Sequence, residues 1–279
     1  MSQDPQQHPR VAGSSPWHRL AVIGSARVEL LPRMPYDVAY MPEAAVIGFA
    51  FEPQAGTHAF ATDRTTSFRT RPNSLAYVPK GCDVVSRSHQ GGEYLTLRTS
   101  FALSAGRSVE RRFNDFIDPA AIKAAQNLRR LLLAGDVIDL IEAEKNVATL
   151  CSSVTNVLTG GAPPSRATRW MTARRLGLVD EIIEARMDAS LTVQEIAKQL
   201  GLSAGFFNRA FKAATGKTPH DYVVDRRISR ARLLLRRADL GLAEIAAASG
   251  FSSHAHLTSQ FRRRLGTSPS RLRDPVCLH

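Results

Sequence analysis

Apolar residues recur along this chain at two different periods, and the change of period divides it. From Trp17 to about Leu103 the apolar runs are short. Those at 45–51, 74–78 and 93–97 are separated by Pro, Gly, Asn and Asp. Several such strands at close spacing predict a small sandwich or barrel. From about Ser108 the spacing turns helical. Phe113, Phe116 and Ile117 open a helix-like stretch that ends before Pro119, and helices are expected over 120–134 and 137–158. In the last of these, Val137, Ile138, Ile141, Val147, Leu150, Val154, Val157 and Leu158 return at steps of three and four. That stripe suits either a copy of itself or the neighbouring barrel. The small, Pro/Gly-rich stretch 159–165 reads as a domain boundary. It places a linker at 159–168, between a front domain over 17–158 and an all-helical domain over 169–279.

Within the helical domain one pattern occurs twice, 49–50 residues apart. Ile196-Ala197, Gly201, Phe211 and Gly216-Lys217-Thr218-Pro219 answer to Ile245-Ala246, Gly250, Phe261 and Gly266-Thr267-Ser268-Pro269. Each copy reads as a helix, a glycine turn and a second helix, the layout of a helix-turn-helix. In the first copy Thr192 and Glu195 form an expected capping box. Gly201 stands where a helix end needs positive φ, and Ser203 caps the next helix. Phe207, Phe211 and Ala214 share one face of that helix, and Gly205, Asn208, Arg209 and Lys212 share the other. In the second copy Ser252 is the expected cap and Leu257, Phe261 and Leu265 face inward. Ala255, Thr258, Ser259 and Arg262 face outward, with His254 near the helix start. The reading helices are expected over 204–215 and 253–265. Between the copies, Val224, Ile228, Ala231 and Leu235 follow helical spacing, so a rigid helix is expected to set one copy against the other.

Charge sharpens this picture. Residues 166–279 carry 20 Lys+Arg against 10 Asp+Glu, whereas the rest of the chain holds 17 against 15. The basic excess therefore sits with the repeat, as expected of a domain that meets a polyanion. Asn pairs bidentately with adenine and Arg with guanine, each contributing roughly 1–3 kcal/mol of discrimination. The run Arg262-Arg263-Arg264 and Lys212 fit phosphate contacts better than base contacts.

The residues 179–273 resemble the AraC/XylS family of transcriptional regulators. The likeness is carried by Ile196-Ala197, Leu202-Ser203, Phe207, Phe211-Lys212, Gly216, Thr218-Pro219, Tyr222 and Arg227-Ile228. It continues through Ala231, Leu234-Leu235, Ile245-Ala246, Gly250-Phe251, Phe261-Arg262-Arg263, Gly266 and Ser268-Pro269. The resemblance implies base contacts from Gly205, Asn208 and Arg209 in the first unit. In the second it implies His254, Ala255, Thr258 and Ser259. Gly205 departs from the family in offering no side chain, and Ser259 stands where arginine is common. The passage 71–83 similarly likens the front domain to a cupin-like β-barrel followed by dimerisation helices. On that reading the chain is a homodimer that binds double-stranded DNA and engages RNA polymerase, and its front domain either responds to a small-molecule effector or serves purely as a dimerisation or protein-interaction module.

Other chemistry is sparse. The aromatic set Phe49, Phe51, Phe60, Phe68, Tyr77 and Tyr94 reads either as ordinary barrel core or as the lining of an effector pocket. His58, His89 and Glu93 are the only candidate ligands for a metal in the barrel, and no His-x-His occurs, so no metal and no cofactor are expected. No phosphate loop or nucleophile motif appears, so no catalytic residue is assigned. Cys82, Cys151 and Cys277 form neither a disulfide framework nor a zinc cluster. No run of 18 apolar residues predicts a membrane span. The polar, Pro/Gln-rich residues 1–16 read as the disordered tail of a cytoplasmic protein.

Overall fold

The computed structural model describes residues 17–100, 112–135, 138–160, 170–187 and 191–273. The expected tail at 1–16, most of the expected linker and Cys277 lie outside them. The chain divides into two compact units. The first runs through Leu132 and takes in 138–160, and the second holds 170–273 together with 133–135.

The first unit contains ten strands in two antiparallel sheets. They are β1 (Arg19–Ile23), β2 (Ala26–Leu31), β3 (Tyr36–Tyr40), β4 (Ala45–Ala50), β5 (Gln54–Phe60), β6 (Thr66–Thr70), β7 (Ser74–Val78), β8 (Val84–Ser88), β9 (Tyr94–Thr99) and β10 (Phe113–Phe116). One sheet has the order β1-β2-β9-β4-β7-β10 and the other β3-β8-β5-β6. Period-two alternation assigns the faces. On β2 and β9, Ala26, Val28, Leu30, Leu95 and Leu97 are fully buried, while Tyr94, Thr96 and Arg98 turn the other way into a cavity between the sheets. Helices α1 (Pro119–Ala134) and α2 (Leu140–Leu158) follow, and α2 lies against β1, β4 and β7. Arg129 of α1 reaches the fully buried Glu93 carboxylate at 2.5 Å and lies 4.8 Å over the Phe51 ring. Such an ion pair positions a helix on a sheet more than it adds net stability.

Two sequence expectations are corrected here. The stretch opened by Phe113 and Phe116 is not helical but is strand β10, the sheet edge beside β7, with Phe113 opposite Tyr77. Its two aromatics sit three residues apart, which fits a helical step, but pairing with β7 decides the outcome through a register shift between them. Helix α2 begins at Leu140, capped by Asp139, whose carboxylate accepts from the Glu142 amide. Ile138 is therefore outside it, and Val137 lies outside the described residues.

The second unit is all helical: α3 (Ala173–Ala185), α4 (Val193–Gln199), α5 (Ala204–Thr215), α6 (Pro219–Leu234), α7 (Leu242–Ala248), α8 (His254–Leu265) and α9 (Pro269–Arg273). Among the described residues no helix is long and apolar enough to cross a membrane.

Candidate nucleic-acid interface and ligand cavity

The sequence repeat becomes a structural repeat. Helix α4 starts at Thr192, whose Oγ1 accepts from the Glu195 amide at 3.2 Å, while the Glu195 carboxylate accepts from the Thr192 amide at 2.8 Å. The Thr192 amide and then the Thr192 hydroxyl, each donating to this carboxylate at 2.8 Å, together with the Arg186 guanidinium, hold the Glu195 carboxyl down to about 2. The α4–α5 turn closes through Leu202 N–H donating to the Ala197 carbonyl at 2.9 Å. Forty-nine residues later, Phe251 N–H donates to the Ala246 carbonyl at 2.9 Å. Gly201 and Gly250 sit in these turns at φ of 68° and 78°, a region that glycine enters without penalty. Ser203 caps α5 by accepting from the Phe206 amide. In the second copy the cap is Ser253, which accepts from His256 N–H at 3.1 Å. Ser252, the expected cap, instead meets His256 Nδ1.

Each reading helix is anchored by a buried stripe. Phe207, Phe211 and Ala214 of α5 and Leu257, Phe261 and Leu265 of α8 are wholly buried. The first set shares one core with Val179 and Ile183 of α3, Ile196 and Ala197 of α4, and Tyr222 of α6.

Helix α6 ties the copies into one frame. Arg226 pairs with Glu184 of α3, and the Tyr222 hydroxyl donates to Asp180. Arg230 Nε donates to the Ala248 carbonyl at the end of α7 at 2.9 Å. From α8, the Arg264 guanidinium spans Asp221 and Asp225 of α6, at 2.8 Å to each. Burial alone would raise the Asp221 carboxyl, but the bonds from Arg264 and Thr218 hold it below its ordinary value. At Gly250 a Cβ would come within 2.1 Å of the Met187 carbonyl oxygen, so the second turn packs directly on the chain end of α3.

The polar faces stay open. Gly205, Asn208, Arg209 and Lys212 are exposed on α5, as are His254, Ala255, Ser259, Arg262 and Arg263 on α8. Thr258 is half-buried and shares a hydrogen bond with His254 Nε2 at 3.2 Å. The Arg209 guanidinium folds back over Gly205: a Cβ there would meet Arg209 Nη1 at 3.7 Å and nothing else. Arg264 is the exception among the proposed phosphate contacts. Its side chain is 14% exposed and held by two carboxylates, so it belongs to the frame and not to the open face. The sequence placed it in a basic run, and only the fold brought Asp221 and Asp225 to it.

In the first unit the two sheets enclose a cavity of about 200 Å³. Phe60, Phe68 and Tyr94 of the aromatic set line it. Phe49, Phe51 and Tyr77 do not, which corrects half of that assignment. Their strand neighbours Gly48, Ala76 and Val78 face the cavity, so alternation turns Phe49 and Tyr77 to the opposite side of the sheet. Phe49 packs on Phe51 at 5.0 Å and Tyr77 stacks on Phe113 at 6.0 Å. Residues not singled out from the sequence complete the wall: Tyr36, Tyr40, Gln54, Thr96 and Arg98. The signal that finds them is parity, since Thr96 and Arg98 alternate with Tyr94 on β9. Burial raises the tyrosine hydroxyls of Tyr36, Tyr40 and Tyr94. Burial, then Arg112, lowers the His58 imidazole, which stacks on Phe68 at 4.9 Å. The structure does not gather His58, His89 and Glu93: His89 is exposed and Glu93 is taken by Arg129.

Residues 196–274 match a family described as a helix-turn-helix domain. A Msm operon regulatory protein of Streptococcus mutans is 33% identical over 98 residues, 35% of each chain. The HTH-type transcriptional activator RhaS of Escherichia coli is 33% identical over 102 residues, 37% of each chain. The aligned part thus spans little more than a third of these relatives. A solved transcriptional regulator from Chromobacterium violaceum with an AraC-type DNA-binding domain is 32% identical, with a TM-score of 0.34, 35% of this chain covered and 88% of that one. Through the repeated unit built on Ile196-Ala197 and Ile245-Ala246, with its shared turns and buried stripes, residues 196–274 form a helix-turn-helix domain similar to those of these regulators.

Proposed function

We propose that this chain is a sequence-specific, DNA-binding transcriptional regulator that works by binding and not by catalysis. The observation that carries this reading is the repeated turn, which presents two exposed polar helix faces on one frame built around α6. In the proposed mode α5 and α8 enter adjacent major grooves on one side of the duplex, and α6 sets their spacing. Gly205, Asn208 and Arg209, with His254, Ala255, Thr258 and Ser259, meet base edges. Lys212, Arg262 and Arg263 meet phosphates. Gly205 leaves room for Arg209 to lie across the first turn of α5, so one long side chain covers the ground of two positions. The front unit, 17–158, joined through 159–168 to the DNA-binding domain 169–279, serves dimerisation and senses an effector in its cavity. The protein acts in the cytoplasm as a homodimer and contacts RNA polymerase at its promoters.

Footprinting of the full chain across genomic fragments tests this. The expected result is protection of paired sites about one helical turn, roughly 10 base pairs, apart on one face of the duplex. Protection with no preference among fragments at moderate salt would remove the reading.

A further inference from the structure

We propose that Asp221 and Asp225 of α6, with Arg264 of α8, are positioning residues that fix the separation of the two reading helices, so that the chain selects paired DNA sites by their spacing. This rests on the reading of α5 and α8 as helices that enter adjacent grooves, and it names the side chains that set the distance between them.

Asp221 and Asp225 stand one helical turn apart on α6 and so share one face. Each carboxylate divides its two oxygens between the two copies of the repeat. Asp225 Oδ1 accepts from Arg264 Nη1 of α8 at 2.8 Å, and Asp225 Oδ2 is paired with Lys217 Nζ in the turn that follows α5. Asp221 Oδ1 accepts from Arg264 Nη2 at 2.8 Å, and Asp221 Oδ2 accepts from the Thr218 hydroxyl of that same turn at 2.8 Å. One guanidinium from the second copy thus meets two carboxylates whose other oxygens are held by the first. A planar fork makes that span, whereas an ammonium is a single point charge.

Both ends of this bridge are fixed to the reading helices. Thr215, the last residue of α5, is fully buried. Its hydroxyl accepts from the Lys217 amide at 3.3 Å and donates to the Phe211 carbonyl at 2.9 Å. On α8, Arg264 Nε reaches Gln260 Oε1 at 3.5 Å, and that oxygen also accepts from Arg263 Nη2 at 2.7 Å. The bridge therefore runs from the end of α5, across α6, to an arginine assigned to the phosphate face.

The repeat alone does not produce it. Ala214 stands in the first copy where Arg264 stands in the second, and Thr267 answers to Lys217. Neither copy holds both cations, so the network serves the relation between copies. It is also covered: the Lys217 and Arg264 side chains are each 14% exposed and that of Asp225 is 22% exposed. Charges so covered are little screened by salt, and pairs of this kind are better suited to fixing register than to adding net stability. The register at stake is fine. One base pair moves a groove by about 3.4 Å along the axis and by roughly a tenth of a turn around it.

The test is titration of the full-length chain with duplexes made from a footprinted site. One keeps the native spacing, one gains and one loses a base pair between the halves, and two have a single half scrambled. In Asp225→Asn the preference for native spacing over the one-base-pair insertion is expected to fall by about tenfold or more. Affinity for the half-scrambled duplexes is expected to stay within roughly twofold of wild type. Arg264→Met loses the same preference, and the double variant loses no more than either single one, because these side chains act as a unit. Thermal unfolding shows which variants are folded. The double variant, which removes both halves of the pair, carries the test where a single variant does not fold. An unaltered spacing preference in folded variants overturns the proposal and leaves the DNA-binding reading standing. Equal losses on paired and half-scrambled duplexes show a merely structural role and overturn it as well. A wild type indifferent to spacing overturns the two-groove reading together with the proposal.

Discussion

Gly201 and Gly250 occupy the same turn in the two repeats, and replacing each by alanine separates two causes that a single mutant would mix. Both have positive φ, 68° and 78°. An L-residue held there costs roughly 1–2 kcal/mol. At Gly201 an added Cβ meets nothing within 4 Å, so Gly201→Ala is expected to cost only that conformational term. At Gly250 the Cβ would stand 2.1 Å from the Met187 carbonyl oxygen and 2.7 Å from Arg227 Nε. The backbone oxygen cannot swing aside as a side chain can, so the turn and the end of α3 must separate. Overpacking of that kind adds about 1–3 kcal/mol, giving roughly 2–5 kcal/mol for Gly250→Ala. Urea unfolding followed by Trp170 fluorescence in a Trp17→Phe background reports on the helical unit. Trp170 belongs to it and packs under Arg175 and against Phe206. Gly250→Ala should shift the midpoint well beyond Gly201→Ala with the same slope. Equal shifts would refute the close approach to Met187 as the reason for glycine in the second turn.

Four further outcomes follow from the same geometry. Phe261→Ala removes a wholly buried ring and should destabilise the helical unit by about 3–5 kcal/mol in chemical unfolding; a loss below about 1 kcal/mol would contradict its burial. Arg262→Ala should lower the salt slope of DNA binding by about 0.9 and leave thermal stability unchanged. Arg264→Ala should do the reverse, because its guanidinium is spent on Asp221 and Asp225; an exchange of these two behaviours sinks the assignment. Arg209→Ala should relax discrimination at one base by roughly 1–3 kcal/mol, read by competition between single-base operator variants, and a uniform loss on all of them argues for a phosphate role instead. Glu195, held down to about 2 in the folded chain, binds fewer protons folded than unfolded. Its stabilising contribution is complete above its ordinary range near 4.5 and is lost as pH falls toward 2. Glu195→Gln should therefore flatten the acid limb of stability against pH; an unaltered limb would show that other carboxyls govern it.

The helical unit was the more legible because its signals are local. A cap, a glycine turn and a stripe at three- and four-residue steps each act within about one helical turn, and they placed 204–215 where α5 stands. The error over Ser252 and Ser253 is of the same local kind: two serines in sequence can each cap, and the backbone chose the second. In the front unit the signals are pairwise and distant. The strand text predicts two-sided alternation but not its parity, so Phe49, Phe51 and Tyr77 look in sequence like Phe60, Phe68 and Tyr94, although only the latter three line the cavity. Phe113 and Phe116 could not announce a strand without the β7 edge that pairs them.

What the chain by itself determined is therefore everything encoded within a few residues: the two repeats, their turns and caps, the buried stripe of each reading helix and the basic excess over 166–279. Tertiary structure alone decided which charges are free. Arg264 looks like its neighbours in sequence and differs only because α6 brings two carboxylates to it from 39 and 43 residues away. Coulomb energy depends on separation in space and on the dielectric around the pair, and neither quantity is written along the chain.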